Sequence, residues 1–378
     1  MPGRTLSLFA VIVSVFISTL TFAITTPLIA VRLAAEGYGG AWIGLNTGAG
    51  AAAILLVTLA TPWLGRRLGS FPALILSILV MALGVGLLPV WHGLGAWFAL
   101  RVLIGAGIAV HWVISEVWIN IAAQEADRGK VIGLYVAALG LAYAVAYPLL
   151  LAVGADGDRP FLIVTAMIAA AGLPILLARR LVPVLPPAPP SDSFSAIRQQ
   201  PAVMGAALVA GVAIAVVLSF LLLYVRRLGF SETRALAILS AVAFGNVLLQ
   251  VPIGMLVDRG KGAGGGERLL IALSTVGLIG LLLMPFLQPM GGLRWPFLFA
   301  WGGSLGGFYT LSLTLLGRRF QGPALPGANA TFVVVYEIGG MMGPVLTGFT
   351  LDAWNPHGAL LVLALAYALF IPICLRRL

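Results

Sequence analysis

The sequence has too little charge to live in water. Its 378 residues carry 22 basic and 12 acidic side chains, 9% together, where ordinary soluble domains carry about 25%. A water-facing surface for a 39.4 kDa chain cannot be built from so few. A cytosolic enzyme, a disordered regulator and a secreted scaffold are all excluded. Cysteine is scarcer still: Cys374 is the only one, so no intrachain disulfide can form. Three scattered histidines do not make a metal site, and no HExxH, GxSxG or paired-cysteine pattern occurs. The run Gly262-Ala263-Gly264-Gly265-Gly266 lacks the Lys-Ser/Thr and the preceding strand of a phosphate-binding loop and reads as a flexible connection. No metal and no cofactor are expected.

What is abundant is apolar surface: 61% of the residues are hydrophobic and the mean hydropathy is +1.07. A bilayer span needs about 20 mostly apolar residues. Twelve such runs are present, at 7–31, 41–63, 71–91, 95–121, 130–153, 160–179, 202–225, 233–257, 268–288, 295–317, 327–350 and 357–375. They are continuous rather than alternating, which points to helices and not to a β-barrel. The first run is too long for the core of a signal peptide and reads as a retained helix. The net charge of +10 does not point to nucleic acid. With the N-terminus inside, 15 of the 22 basic residues fall in cytoplasmic segments, which places both termini in the cytoplasm.

Residues 181–200 contain five prolines and read as a semi-rigid tether between near-equal parts, 1–180 and 201–378. The parts echo each other. Arg32-Leu33 matches Arg227-Leu228, Arg66 matches Arg259, Pro148 matches Pro344, and Arg179-Arg180 matches Arg376-Arg377, at offsets of 193–197 residues. Six spans separate the copies, so both enter the membrane in the same direction, as a parallel repeat about an axis along the membrane normal. The expected fold is an all-α membrane protein: twelve transmembrane helices as two six-helix bundles in a parallel pseudo-twofold repeat.

This layout resembles the major facilitator superfamily. Arg101-x-x-x-Gly105-x-Gly107-x-Ala109 is similar to that family's fourth-helix motif, in which the arginine is associated with proton coupling. Gly254-x-x-x-Asp258-Arg259 resembles its cytoplasmic gating motif. The equivalent stretch around Arg66 and Arg67 keeps the basic residues and lacks the acidic one. Gly339-x-x-x-Gly343-Pro344-x-x-x-Gly348 resembles the antiporter signature, displaced from the fifth span to the eleventh. The stretches Glu116-Val117-Trp118-Ile119-Asn120 and Arg128 to Tyr135 resemble the YcaD-like branch. The resemblance implies a secondary active transporter working by alternating access, with gating at Arg66, Arg67, Asp258, Arg259, Gly343 and Pro344.

Ionisable groups within spans cost about 2.5–3.5 kcal/mol at a helix centre on insertion scales. Three qualify: Arg101, Glu116 and Glu337. A carboxyl that takes up a proton on one side and releases it on the other is what proton coupling needs, and Glu337 sits near the middle of the eleventh run. Arg101 and Glu116 are about 22 Å apart along one helix but only about 60° apart around it, so they share a face with Ile108, Trp112 and Ser115. His111, Asn246, Gln250, Tyr309 and Tyr336 are further candidates for a cavity wall. The expectation is a monomer in the bacterial inner membrane, contacting lipid, protons and a small amphipathic organic solute, with export preferred. Uptake of an organic anion attracted by Arg101 is the alternative within transport. A two-carboxylate membrane hydrolase and a non-transporting assembly partner are the alternatives outside it.

Overall fold

The computed structural model describes residues 2–124, 128–184, 195–259, 265–320 and 324–376. Among these the regular structure is helical throughout. The first six helices are α1 (Pro2–Ala35), α2 (Gly40–Leu68), α3 (Ser70–Gly86), α4 (Leu94–Ala122), α5 (Arg128–Val153) and α6 (Arg159–Leu177). After the short α7 (Ser195–Gln199) come α8 (Pro201–Arg227), α9 (Glu232–Leu248), α10 (Gln250–Arg259), α11 (Gly265–Leu283), α12 (Arg294–Arg319), α13 (Ala324–Ala353) and α14 (Gly358–Leu375). Ten helical segments are long and apolar enough to cross a bilayer, α9 and α10 counting as one. The chain is an integral membrane protein. Helix α3 is apolar but only 17 residues long, and the 26-residue α12 is diluted by glycine and hydroxyl side chains.

The eighth run is not one uninterrupted helix. Pro252 has no N–H to offer the carbonyl of Leu248, and α9 ends at Leu248. Pro27, Pro148 and Pro344 are instead carried inside α1, α5 and α13.

The chain packs as two compact units, Met1–Ile29 with Ala49–Pro189, and Ala30–Gly48 with Pro190–Leu378. In the first, α1 and α4 run antiparallel in a steady register. Arg4 Nε donates to the Ala122 carbonyl at 3.0 Å, Trp118 Nε1 to Ser7 Oγ at 2.8 Å, and Arg101 Nη2 to Thr26 Oγ1 at 3.5 Å, with His111 Nε2 3.4 Å from Ser14 Oγ between them. Helix α3 packs on α4 and α6. The Trp118–Ser7 bond is buried. Ser7→Ala leaves the indole N–H without an acceptor and is expected to cost about 1–3 kcal/mol. Thermal unfolding in detergent checks this, and Trp118→Phe in the same background should recover part of the loss.

In the second unit α8 is buried on nearly every face, against α12, α13 and α14. Helix α12 packs on α9, α10 and α11, and α11 on α14. Trp301 Nε1 donates to the Gly277 carbonyl at 3.2 Å, and Phe308 lies against Tyr367 and Phe370.

Two local features recur between the two parts of the chain. Helix α1 ends in a turn with Gly37 at φ 87°, where Tyr38 N donates to Leu33 O and Gly37 N to Ala34 O. Helix α8 ends in the same turn, with Gly229 at φ 89°, Phe230 N donating to Val225 O and Gly229 N to Arg226 O. Only glycine takes this left-handed conformation without strain. The helix crossings repeat too. A Cβ on Gly105 of α4 would collide with the Gly50 carbonyl of α2, and one on Gly302 of α12 would collide with the Val242 carbonyl of α9.

Candidate functional site

Arg101 projects from α4 beside the Gly50–Gly105 crossing. It is 4% exposed, and its aliphatic stem lies where a side chain at residue 50 would be: a Cβ there would be 2.7 Å from Arg101 Nε and 3.0 Å from its Cγ. The long hydrogen bond to Thr26 is its one polar contact among the described residues. Nε is buried with no acceptor, and no carboxylate pairs with the guanidinium among the described residues. A snorkelling arginine would reach outward to headgroups; this one is turned inward. In the second unit the position that the Gly105–Gly302 match aligns with Arg101 is Leu298, 0% exposed. Packing at this place in the second unit is satisfied by leucine.

Further along the α1–α4 seam, His111 is fully buried. Its Nδ1, Trp112 Nε1, Ser115 Oγ and Thr19 Oγ1 are buried without partners among the described residues. Phe22 and Trp112 meet edge-to-face at 5.4 Å. Glu116 is exposed, unlike Arg101, Ile108 and Ser115 on the same helix. The stripe read from the helical angles is therefore buried at one end and open at the other.

In the second unit, Tyr309 of α12 meets Tyr336 and Phe332 of α13 edge-to-face at 5.3 and 5.7 Å. One residue on, Glu337 is half-buried. Next to Tyr309, Thr310 donates to Gln250 Oε1 at 3.2 Å, and Gln250 Nε2 donates to Asn246 Oδ1 at 3.1 Å. So Tyr309 joins Tyr336, and Asn246 joins Gln250, around one turn of α12.

Gly343 and Pro344 lie at two helix crossings. Gly339 and Gly343 abut Leu208 and Val212 of α8, whereas the Pro344 carbonyl and Gly348 abut Gly44 and Gly40 at the start of α2. Arg66 and Arg67 are exposed at the end of α2, with the Arg67 guanidinium 5.8 Å from the Trp63 ring centroid. The side chains of Asp258, Arg259, Arg128 and Lys130 lie outside the described residues.

Reading the sequence did not single out Ser14 or Gly50, and expected of Thr19, Thr21, Thr25 and Thr26 only a bond to their own helix backbone. Thr21, Thr25 and Thr26 make that bond, as hydroxyls in an apolar helix tend to, whereas Thr19 Oγ1 is buried without a partner among the described residues. That local bond hid the second role of Thr26 beside Arg101.

The family model of the Major Facilitator Superfamily matches residues 11–322. The chain belongs to the major facilitator superfamily. Its relatives in that superfamily include the uncharacterized MFS-type transporter YfkF of Bacillus subtilis (strain 168), 25% identical, covering 92% of this chain and 89% of the relative. The uncharacterized MFS-type transporter YcaD of Salmonella arizonae is 23% identical and covers 95% and 92%. This agrees with the YcaD-like resemblance carried by Glu116 to Asn120. Solved structures share the fold. The nucleoside transporter NupG has a TM-score of 0.78 at 14% identity, covering 98% of each chain. A D-xylose–proton symporter has a TM-score of 0.72 at 15% identity, again covering 98% of each. Superfamily members are secondary transporters of small molecules and not enzymes, so the hydrolase alternative falls.

Proposed function

We propose that this superfamily member couples protons to the movement of a small amphipathic organic solute, by alternating access between two six-helix halves. Helices α3 and α12, added to the ten long apolar segments, make twelve spans, six on either side of the proline-rich tether. The topology has both termini in the cytoplasm of a bacterial cell, the protein acts as a monomer in the inner membrane, and the direction is export.

The observation that carries this reading is Arg101: a buried guanidinium with an open Nε and, among the described residues, a single long hydrogen bond, where the matching place in the second unit has leucine. A cation in low dielectric without a counter-charge is costly. A transport cycle supplies a partner in one of its states, as a solute group or a carboxylate. Glu337 is the proton carrier in this reading. The aromatic edges of Trp112, Phe22, Tyr309 and Tyr336 beside polar atoms suit a solute with both characters. The open Nε also favours a second reading, uptake of an organic anion, because it is a ready donor to a carboxylate.

Everted membrane vesicles test both, with cationic, neutral and anionic amphipathic dyes as probes. A pH gradient should drive accumulation of a cationic or neutral dye, and Glu337→Gln should reduce it about 100-fold, the scale set by a lost proton-transfer group. Gradient-driven accumulation left intact in Glu337→Gln contradicts the assignment. Movement of the anionic dye alone selects the second reading.

A further inference from the structure

The tip of the α1–α2 hairpin belongs, by packing, to the second unit, although the rest of both helices belongs to the first. The change falls between Ile29 and Ala30 in α1 and between Gly48 and Ala49 in α2. What holds residues 30–48 within the second unit is a seam against α13. Gly40, Gly44 and Gly48 recur every fourth residue, so they form one stripe on α2. Side chains there would meet Gly348 and Leu351, the Pro344 carbonyl and Val345 respectively. At Gly40 and Gly44 the seam is largely backbone on backbone, and Val345 packs its side chain onto Gly48, so few rotamers need to change when the seam parts.

One polar tie closes the seam. Asp352, at the end of α13, accepts from Gly40 N at 2.5 Å through Oδ1 and from Ala41 N at 2.8 Å through Oδ2. Those are the first two amides of α2, which have no acceptor within their own helix. A carboxylate at this end also complements the helix dipole. Arg227, which donates to Asn355 Oδ1 at 3.0 Å, lies within electrostatic reach of Asp352 and steadies it.

We infer that Asp352 is a positioning residue for transport: a releasable latch that caps α2 from α13 and lets go once in each cycle. The inference rests on the alternating-access reading. A hairpin tip packed in one unit while its helices continue into the other must bend or detach when the units reorient. A flat glycine seam with two hydrogen bonds is built to detach.

The test uses the full chain in phosphatidylethanolamine–phosphatidylglycerol vesicles, with Cys374→Ala and a single reporter, Thr47→Cys. Thr47 is 7% exposed, on the docked segment. Labelling by a membrane-impermeant maleimide from outside should be about tenfold faster in Asp352→Ala, the scale of a lost N-cap. It should be near the parent rate in Asp352→Glu, which keeps both acceptors, and intermediate in Asp352→Asn, which keeps one. If Asp352→Ala does not fold, the Asn and Glu variants alone decide. Rates within twofold of the parent in every folded variant overturn the latch. So does faster labelling accompanied by general unfolding. Labelling needs no solute, so its failure is separable from failure of the pH-gradient assay, which bears on Glu337.

Discussion

Arg101→Leu is expected to raise thermal stability and abolish transport at once. Removing an uncompensated buried charge relieves its desolvation, and leucine is what the repeat already holds at the matching place, Leu298. On insertion scales the gain is about 2.5–3.5 kcal/mol. It should appear as an upward shift of several degrees in the unfolding midpoint of detergent-solubilised protein. Dye movement should fall to the level of empty vesicles, because the group that meets the solute or the coupling carboxylate is gone. Arg101→Lys tests the geometry. An ammonium retains the charge but has no planar fork, so it should keep the parent's stability and only a small part of the transport. A fall in stability for Arg101→Leu would mean that the guanidinium is structural.

The second large effect is structural. Gly211→Val should give little or no monodisperse protein. The first atom of any side chain at this position would collide with the Tyr336 carbonyl, and the next atoms with the rest of α13. Helices α8 and α13 touch backbone to backbone here, with Gly339 and Gly343 of α13 resting on Leu208 and Val212 of α8. Overpacking of this kind costs about 1–3 kcal/mol where neighbours can give way. A carbonyl within a helix cannot move without breaking its own ladder, so the cost should lie at or above the top of that range. Gly317→Ala is the control. It faces open space on α12 and should be neutral or stabilising by up to about 1 kcal/mol. Size-exclusion profiles and unfolding midpoints of the two variants decide the matter.

Much of the fold was legible because lipid imposes a coarse rule. Long apolar runs become helices, since no other open-ended structure satisfies its backbone in hydrocarbon. The near-equal parts were legible, but the register between their first helices was not: the matched turns at Gly37 and Gly229 set Arg32 against Tyr224 rather than Arg227. The break at Leu248 was legible only as a proline, since sequence does not say whether a helix bends or stops there. The candidate site was read by cost: Arg101 and Glu337 stand out because charge in a span is expensive. Which partners surround them was not. Thr26 carries no signal beyond being one hydroxyl among several in α1. Asp352 reads as an ordinary loop acid until α2 is seen to begin against it. The glycines of the 339–348 stretch suggested gating by resemblance, whereas their contacts reveal two helix crossings, one with α8 and one with the tip of the α1–α2 hairpin.

The most direct measurement is proton movement across a sealed membrane containing only this protein. Proteoliposomes loaded with a pH-sensitive dye are given an outward gradient of whichever amphipathic dye the vesicle assay selects, with no imposed pH difference. The lumen should change pH as solute leaves, and the change should vanish in Glu337→Gln and in Arg101→Leu. Solute efflux that leaves the lumenal pH unmoved, or a pH change of equal size in both variants, would contradict coupled transport through these two residues.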